Sequence, residues 1–267
     1  MSTVAEPHAL FFDIDGTLVS FATHQIPPST VFALTQAKAC GHRVYIATGR
    51  PVNIITNLGA IEHLIDGYIT TNGAYCFVGS DVVCCNAIDQ ADVQTVLADA
   101  AACDYSCIVA SEHHFVVYNP HDDVERIFRH DLAVETLDPH APWQPALQER
   151  ILQFSPFFTR EHEAQLMARI PNCVSGRWHP EFTDITARGA DKGHALLLMA
   201  RHEGFSPQHT VAFGDGGNDL TMICHAGIGV AMGNALDPVK QQARHVTTSV
   251  DEDGVLRALR HLGIIPS

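Results

Sequence analysis

This 267-residue chain predicts an α/β fold in which a parallel-sheet core is interrupted by an inserted α+β segment. Three observations carry that expectation. Short apolar runs alternate with helix-forming stretches through the first third. The rhythm breaks after Asn72 into hairpin-like pairs of runs. It then resumes near Lys192 and continues to the end.

The elements follow in order. Ala9–Phe12 reads as a buried strand. Pro27-Pro28-Ser29 opens a helix through Lys38, with Cys40-Gly41 as its stop. His42–Ala47 is a second strand, ending at Thr48-Gly49-Arg50, and Pro51 suits the first turn of a helix carrying Ile54, Ile55 and Leu58. Tyr68–Thr71 is a third strand, closed by Asn72-Gly73. Strands joined through helices imply a parallel sheet with crossovers.

Beyond Asn72, Tyr75–Val78 and Val82–Cys85 flank the hairpin signal Gly79-Ser80. A helix is expected from Asp89 to Ala102, strands at Cys107–Ser111 and Phe115–Tyr118, and a helix over Asp122–Leu132. The proline-rich stretch Thr136–Pro145 reads as a loop. Ile151–Phe158, Asn172–His179 and Phe182–Ala187 are strand-like, with a helix from Glu161 to Ile170 between the first two. This segment has its own apolar alternation and the size of a small domain. The α/β rhythm returns with a helix at Lys192–Glu203, a strand at Thr210–Phe213, a helix at Asp219–His225 and a strand at Ile228–Ala231. Helices near Leu236–Ala243 and Asp253–Leu262 close the chain.

Composition narrows the function. A formal net charge of −14 and the lack of a basic run disfavour nucleic acid and anionic membranes as partners, while a small anionic ligand focused in one cleft remains compatible. No stretch is apolar enough to span a bilayer, and the first residues lack a secretory pattern, so a cytoplasmic protein is expected. The eight cysteines contain no C-x-x-C and read as reduced, mostly buried thiols. His113-His114 and the group His121, His130 and His140 show no helix-spaced metal pattern among the 17 histidines.

The chemistry gathers at strand ends. Asp13 and Asp15 stand two residues apart where the first strand stops, and carboxylates that close repel unless a proton or cation intervenes. Thr48-Gly49-Arg50 and Gly214-Asp215-Gly216-Gly217-Asn218-Asp219 also follow expected parallel strands, so all three tips share one sheet edge. Lys192 opens a helix. Together these groups suit phosphoryl transfer. Asp13 is placed as a nucleophile, Asp15 as the acid/base, Asp13 with Asp215 as Mg²⁺ ligands, and Lys192 and the Thr48 hydroxyl as phosphate contacts, with backbone N–H groups at a helix start beside Thr48.

With these motifs in place the chain resembles the haloacid-dehalogenase-like superfamily, and within it the Cof-type phosphatases with a class IIB cap. The resemblance rests on Phe-Phe-Asp-Ile-Asp-Gly-Thr-Leu (11–18), Ala47-Thr48-Gly49-Arg50-Pro51, Ala190-Asp191-Lys192-Gly193 and Phe213-Gly214-Asp215-Gly216-Gly217-Asn218-Asp219-Leu220-Thr221-Met222. It implies an α/β fold with a Rossmann-like parallel-sheet core and an inserted α+β cap domain: core residues 1–83 and 188–267, cap residues 84–187. It also implies Asp13 as nucleophile, Asp15 as acid/base with its carbonyl on the metal, and Asp215 as a further Mg²⁺ ligand. Asp219 would support the metal site, and Thr48, Gly49, Lys192 and Asn218 would hold phosphate. Asn72-Gly73-Ala74 and the stretch from Gly227 to Ala235 match further family segments.

The expected activity is Mg²⁺-dependent hydrolysis of small phosphomonoesters, sugar phosphates or related metabolites, through an aspartyl phosphate. A phosphomutase of the phosphomannomutase type and a non-catalytic phosphometabolite-binding protein are the alternatives. A monomer or small homo-oligomer is expected. The loop around Trp178, His179 and Glu181, and His113-His114, are the cap candidates for substrate contact.

Overall fold

A computed structural model describes residues 6–131, 134, 137–177 and 179–267; the side chains of 129–131 lie outside the description. The strands in chain order are β1 (Ala9–Phe12), β2 (Arg43–Ala47), β3 (Gly67–Thr70), β4 (Tyr75–Val78), β5 (Asp81–Cys85), β6 (Cys107–Ser111) and β7 (Phe115–Tyr118). They continue with β8 (Ile151–Pro156), β9 (Cys173–Gly176), β10 (Asp184–Ala187), β11 (Thr210–Gly214), β12 (Ile228–Ala231) and β13 (His245–Val246). The chain forms two units. One comprises the chain through Gly49, Ile55–Cys84 and Asp191–Ser267; the other comprises Arg50–Ile54 and Cys85–Ala190.

The first unit holds an eight-stranded sheet in the order β13-β12-β11-β1-β2-β3-β4-β5. From β13 to β3 the pairing is parallel, and β4 runs antiparallel to β3. Alternation along β1 and β2 explains the two covered faces. Leu10, Phe12, Val44 and Ile46 point to one side, where helices Pro28–Ala39 and Gly254–His261 pack. Ala9, Phe11, Tyr45 and Ala47 point to the other, beneath helices Lys192–His202 and Leu220–His225. Stacked rings knit neighbouring strands on both faces, Phe12 on Phe213 at 4.7 Å and Phe11 on Tyr45 at 4.9 Å. Gly41 ends the first helix at φ 89°, a conformation open to glycine, just as Cys40-Gly41 suggests.

Strand order carries the functional consequence. From β1 the chain winds through β2 to β3 on one side, and from β11 through β12 to β13 on the other. The switch point lies between β1 and β11, which pair in parallel with Phe12 opposite Phe213. The crevice beyond the carboxyl ends of two such strands is where open α/β sheets bind ligands.

The second unit is a five-stranded sheet, β7-β6-β8-β10-β9, antiparallel at every pairing. One face packs helices Gln90–Cys103 and Arg160–Met167 around Val93, Val96, Phe154 and Leu166. The other buries Ile108, Val117, Phe157 and Phe182. No helix among the described residues is long and apolar enough to cross a membrane.

Several elements differ from expectation. The helix expected after Pro51 is only a 3-10 turn, Val52–Ile54. Val52, Ile54 and Ile55 are β-branched and Asn53 and Asn57 are poor helix formers, so no amphipathic gain offsets local preference. The expected helix Asp122–Leu132 is a short α turn, Asp122–Val124, that widens into a π-helix over Glu125–Asp131, and Leu132 lies outside the described residues. Val124, Ile127 and Phe128 still bury themselves, Phe128 with its ring 5.3 Å from that of Phe182. The strand expected at Asn172–His179 spans only Cys173–Gly176. Strand β13, two residues long, carries too little pattern to be read from sequence. No disulfide joins the cysteines among the described residues, and only Cys76, Cys107 and Cys173 are buried.

Glu149 fastens the turn between β6 and β7. It accepts the Ser111 hydroxyl at 2.6 Å and the His113 amide at 3.0 Å, and His114 Nδ1 lies 3.0 Å away. Burial opposes its ionisation, yet these donors prevail and hold its carboxyl down at about 2. A depressed folded pKa contributes stability that is full above the ordinary value near 4.5 and is lost as pH falls through about 2. Glu149→Gln is therefore expected to lower Tm at pH 7, with the gap to wild type closing on acidification. A gap that stays constant from pH 7 to pH 3 in thermal melts would contradict this account.

Candidate active site

Asp13 is set at the switch point by the backbone: its amide donates to Phe213 O at 3.0 Å, extending the β1–β11 pairing by one residue. Gly16 then turns the chain at φ 82°. A side chain there would place its Cβ 2.3 Å from Asp215 Oδ2, so only glycine fits. Thr17 Oγ1 donates to Asp215 Oδ1 at 3.3 Å, and Asn234 Nδ2 donates to Asp215 Oδ2 at 3.1 Å and to Gly16 O at 2.8 Å. The β1 and β11 loops are thereby locked together.

Lys192 enters from below. Asp191 caps its helix by accepting the His194 amide at 2.8 Å, which fixes Lys192 as the first helical residue. Its side chain is fully buried, and Nζ donates to Asp13 Oδ1 at 2.7 Å and to Asp219 Oδ1 at 2.6 Å. Asp219 Oδ2 accepts the amides of Asp215 and Gly216, both at 2.9 Å. One carboxylate thus binds the lysine and shapes the loop that carries Asp215.

Asp13, Asp215 and Asp219 each offer an oxygen within 4.8 Å of the other two. Burial, then the Asp219 charge, pushes Asp13 well above the ordinary carboxylate value and Asp215 up to about 7. Burial alone would lower Lys192, but the carboxylates of Asp13 and Asp219 outweigh it and keep the ammonium charged. Three clustered acids against one lysine leave an excess of buried negative charge. A hard divalent cation with oxygen ligands, Mg²⁺ above all, fits this donor set.

The remaining expected residues fall into two groups. Thr48 is buried, its amide donating to Ile69 O at 2.8 Å and its carbonyl accepting the Asn72 amide at 3.0 Å. The helix start expected beside it is absent, since only the 3-10 turn follows. A Cβ on Gly49 would lie 3.0 Å from Asn72 Oδ1 and 3.3 Å from Asn218 Nδ2, and Asn218 Nδ2 donates to Asn72 Oδ1 at 2.9 Å. Thr48, Gly49, Asn72 and Asn218 therefore form one edge. Asp15 stands in the β1 loop, half-buried, and lies outside the three-carboxylate cluster.

Sequence reasoning missed the parts played by Thr17, Asn72 and Asn234. Asn72 and Asn234 fall in segments the family resemblance marks, but nothing in their spacing tells which loop each one ties. Thr71 was missed as well. It is β-branched at φ 54° and its buried Oγ1 has no partner among the described residues, a strained backbone beside the site.

The cap candidates are engaged within their own unit. His113 and His114 face Glu149, His179 Nδ1 accepts the Glu181 amide at 3.2 Å, and Glu181 pairs with Arg126 at 2.5 Å. Trp178 lies outside the described residues.

A switch-point crevice with a buried lysine among aspartates defines a hydrolase of the phosphoryl-transfer kind. The chain belongs to the haloacid dehalogenase-like hydrolase family, whose model matches residues 10–259. It is an enzyme, a phosphatase of that family. The solved HAD subclass IIB sugar phosphatase BT4131 is 47% identical, with a TM-score of 0.87 over 97% of this chain and 100% of that one. BT1666 of Bacteroides thetaiotaomicron, described among phosphatases of the same superfamily, is 31% identical with a TM-score of 0.86, covering 99% of this chain and 97% of its own. The protein YkrA of Bacillus subtilis (strain 168) is 30% identical over 263 residues, 96% of this chain and 98% of its own.

Proposed function

We propose that the protein is a Mg²⁺-dependent phosphatase of small phosphomonoesters, sugar phosphates in particular, working through an aspartyl phosphate on Asp13. The observation that carries this reading is the Lys192 ammonium buried between Asp13 and Asp219, with Asp215 in the same cluster. The ammonium works against burial and the Asp219 charge, which together raise Asp13, and a divalent cation would add to its pull toward the ionised carboxylate that attacks phosphorus.

In this reaction an Asp13 carboxylate oxygen attacks the phosphorus, and the bond to the leaving oxygen breaks. Asp15 gives its proton to that oxygen. A water then attacks the phosphorus of the aspartyl phosphate, Asp15 takes the water's proton, and inorganic phosphate departs with Asp13 restored. Thr48, Gly49, Lys192 and Asn218 hold the phosphate oxygens. Asp13, the Asp15 carbonyl and Asp215, with Asp219 in support, would hold Mg²⁺, which would supply neutralisation of phosphoryl charge. Thr17 and Asn234 keep Asp215 oriented for that task.

Likeness to the sugar phosphatase BT4131 supports sugar phosphates as the substrate class. The exposed thiols of Cys103 and Cys224 suit a reducing, cytoplasmic location. The test is a panel of metabolite phosphomonoesters with Mg²⁺, following phosphate release and isomer formation separately. Phosphate release from hexose or pentose phosphates, abolished by EDTA, is expected. Isomer formation without release would replace this reading by a mutase, and binding without either reaction would make the protein a non-catalytic phosphometabolite binder.

A further inference from the structure

A second group of metal-ligating side chains lies in the other unit, between helices Gln90–Cys103 and Arg160–Met167. Asp99, Cys103 and His162 each offer one donor atom, and the three atoms lie within 4.8 Å of one another. Asp99 and Cys103 are four residues apart on one helix and share a face. His162 comes from the first turn of the other helix, where Thr159 Oγ1 accepts its amide at 3.3 Å.

The set is held in place before any ligand arrives. The His162 ring sits against Tyr105 and Phe158, with centroids 5.3 and 5.1 Å away. His162 Nε2 lies 2.6 Å from Asp99 Oδ2. Asp99 is buried, its Oδ2 accepting the Tyr105 hydroxyl at 2.9 Å and its Oδ1 accepting Arg169. Burial opposes ionisation of Asp99, but His162, Tyr105 and Arg169 outweigh it and hold its carboxyl below the ordinary range. Cys103 is exposed at the helix end, so the group opens to solvent on its thiol side.

An ion pair of Asp99 with His162 and Arg169 accounts for two of the three donors but gives the thiol no task. One thiol, one imidazole and one carboxylate form a donor set that hard Mg²⁺ and Ca²⁺ disfavour and that zinc accepts, with water as fourth ligand. We propose that Asp99, Cys103 and His162 bind a zinc ion, clipping together two helices whose ligands lie 63 residues apart in sequence. On binding, the Cys103 thiol gives its proton to buffer and coordinates as thiolate. His162 Nε2 gives the proton it shares with Asp99 to buffer as well, so the ring binds as neutral imidazole with its remaining proton on Nδ1. The Asp99–His162 hydrogen bond is exchanged for two bonds to the metal, while Arg169 and Tyr105 keep the carboxylate oriented. Nothing in this site draws on the phosphatase machinery.

The test uses the full chain, stripped with EDTA, returned to chelator-free buffer and given excess Mg²⁺ to fill the catalytic centre. Titration with CoCl₂ is expected to produce a thiolate-to-cobalt charge-transfer band saturating at one equivalent and erased by one equivalent of ZnCl₂. Cys103→Ser, a near-isosteric change at an exposed position, is expected to abolish the band and keep phosphatase activity. His162→Ala is expected to weaken cobalt binding at least ~10-fold. No band in the wild type overturns the proposal, as does a band that survives Cys103→Ser or an unchanged affinity in His162→Ala.

Discussion

Asp13→Asn protein is expected to fold normally and to lose turnover by at least ~10⁴-fold, because an amide cannot take the phosphoryl group that the carboxylate takes. Stability should move the other way. Burial and the Asp219 charge raise the Asp13 pKa, so the ionised carboxyl is a cost the folded state carries at neutral pH. The sign follows from linkage. A carboxyl whose folded pKa lies above its unfolded value favours the folded state at low pH and loses that advantage as pH rises past the unfolded value. Asparagine keeps an oxygen for Lys192 Nζ and removes the charge, so in EDTA the variant should melt no lower than wild type at pH 8. Added Mg²⁺ should raise its Tm less than that of wild type, since one carboxylate of the cluster is gone. Residual turnover within ~10-fold of wild type would end the nucleophile assignment, and a collapse of Tm in EDTA would mean the charge is not the burden described. Asp15→Asn offers the contrast: turnover should also fall, but with an acyl phosphate that forms and decays slowly.

The parallel core was legible where its strands are buried on both sides, which leaves out only the short, partly exposed β13. Val44-Tyr45-Ile46-Ala47 and Val211-Ala212-Phe213 are continuous apolar runs, and each is followed at once by polar, glycine-containing chemistry. The candidate-site residues Asp13, Thr48 and Asp215 were legible for the same reason. They stand at the strand ends, and the parallel order brings those ends together whatever their distance along the chain. Tertiary ties between loops were not legible. Asn234 binds Gly16 O across 218 residues, and Asn218 binds Asn72 across 146. An asparagine in a turn looks alike whether it caps its own loop or bridges to another. The zinc-type donor set was hidden likewise, because only Asp99 and Cys103 share a helix and the third donor arrives from elsewhere. The turn after Pro51 and the π-wound stretch failed for a different cause. Local propensity there is weak, and the backbone follows the demands of Ile54, Ile127 and Phe128 on a shared apolar cluster.

Lys192→Met should be the most damaging single change to stability in the core unit. The side chain is fully buried, and methionine of similar length fills the space without a charge. Asp13 and Asp219 would then face each other in a dry site without the ammonium between them, and removing one partner of a buried pair costs about 3–5 kcal/mol. Packing alone would predict a mild effect, so the size of the loss decides between charge and shape. The discriminating variant is the double, Lys192→Met with Asp219→Asn. The introduced asparagine can still accept the Asp215 and Gly216 amides through its carbonyl oxygen, while the uncompensated charge disappears. Thermal melts in EDTA should therefore show the double variant more stable than Lys192→Met. The coupling should be about 1 kcal/mol or more, as expected for groups in one network. Mg²⁺ should restore part of the Tm of Lys192→Met, since a divalent cation neutralises the same carboxylates, but not its activity, because the cation that faces nucleophile and phosphate together would be gone. Additive effects in the double variant, or a Tm of Lys192→Met within a degree or two of wild type, would show that the buried ammonium is a space-filling residue and that the charge arithmetic of the site is wrong.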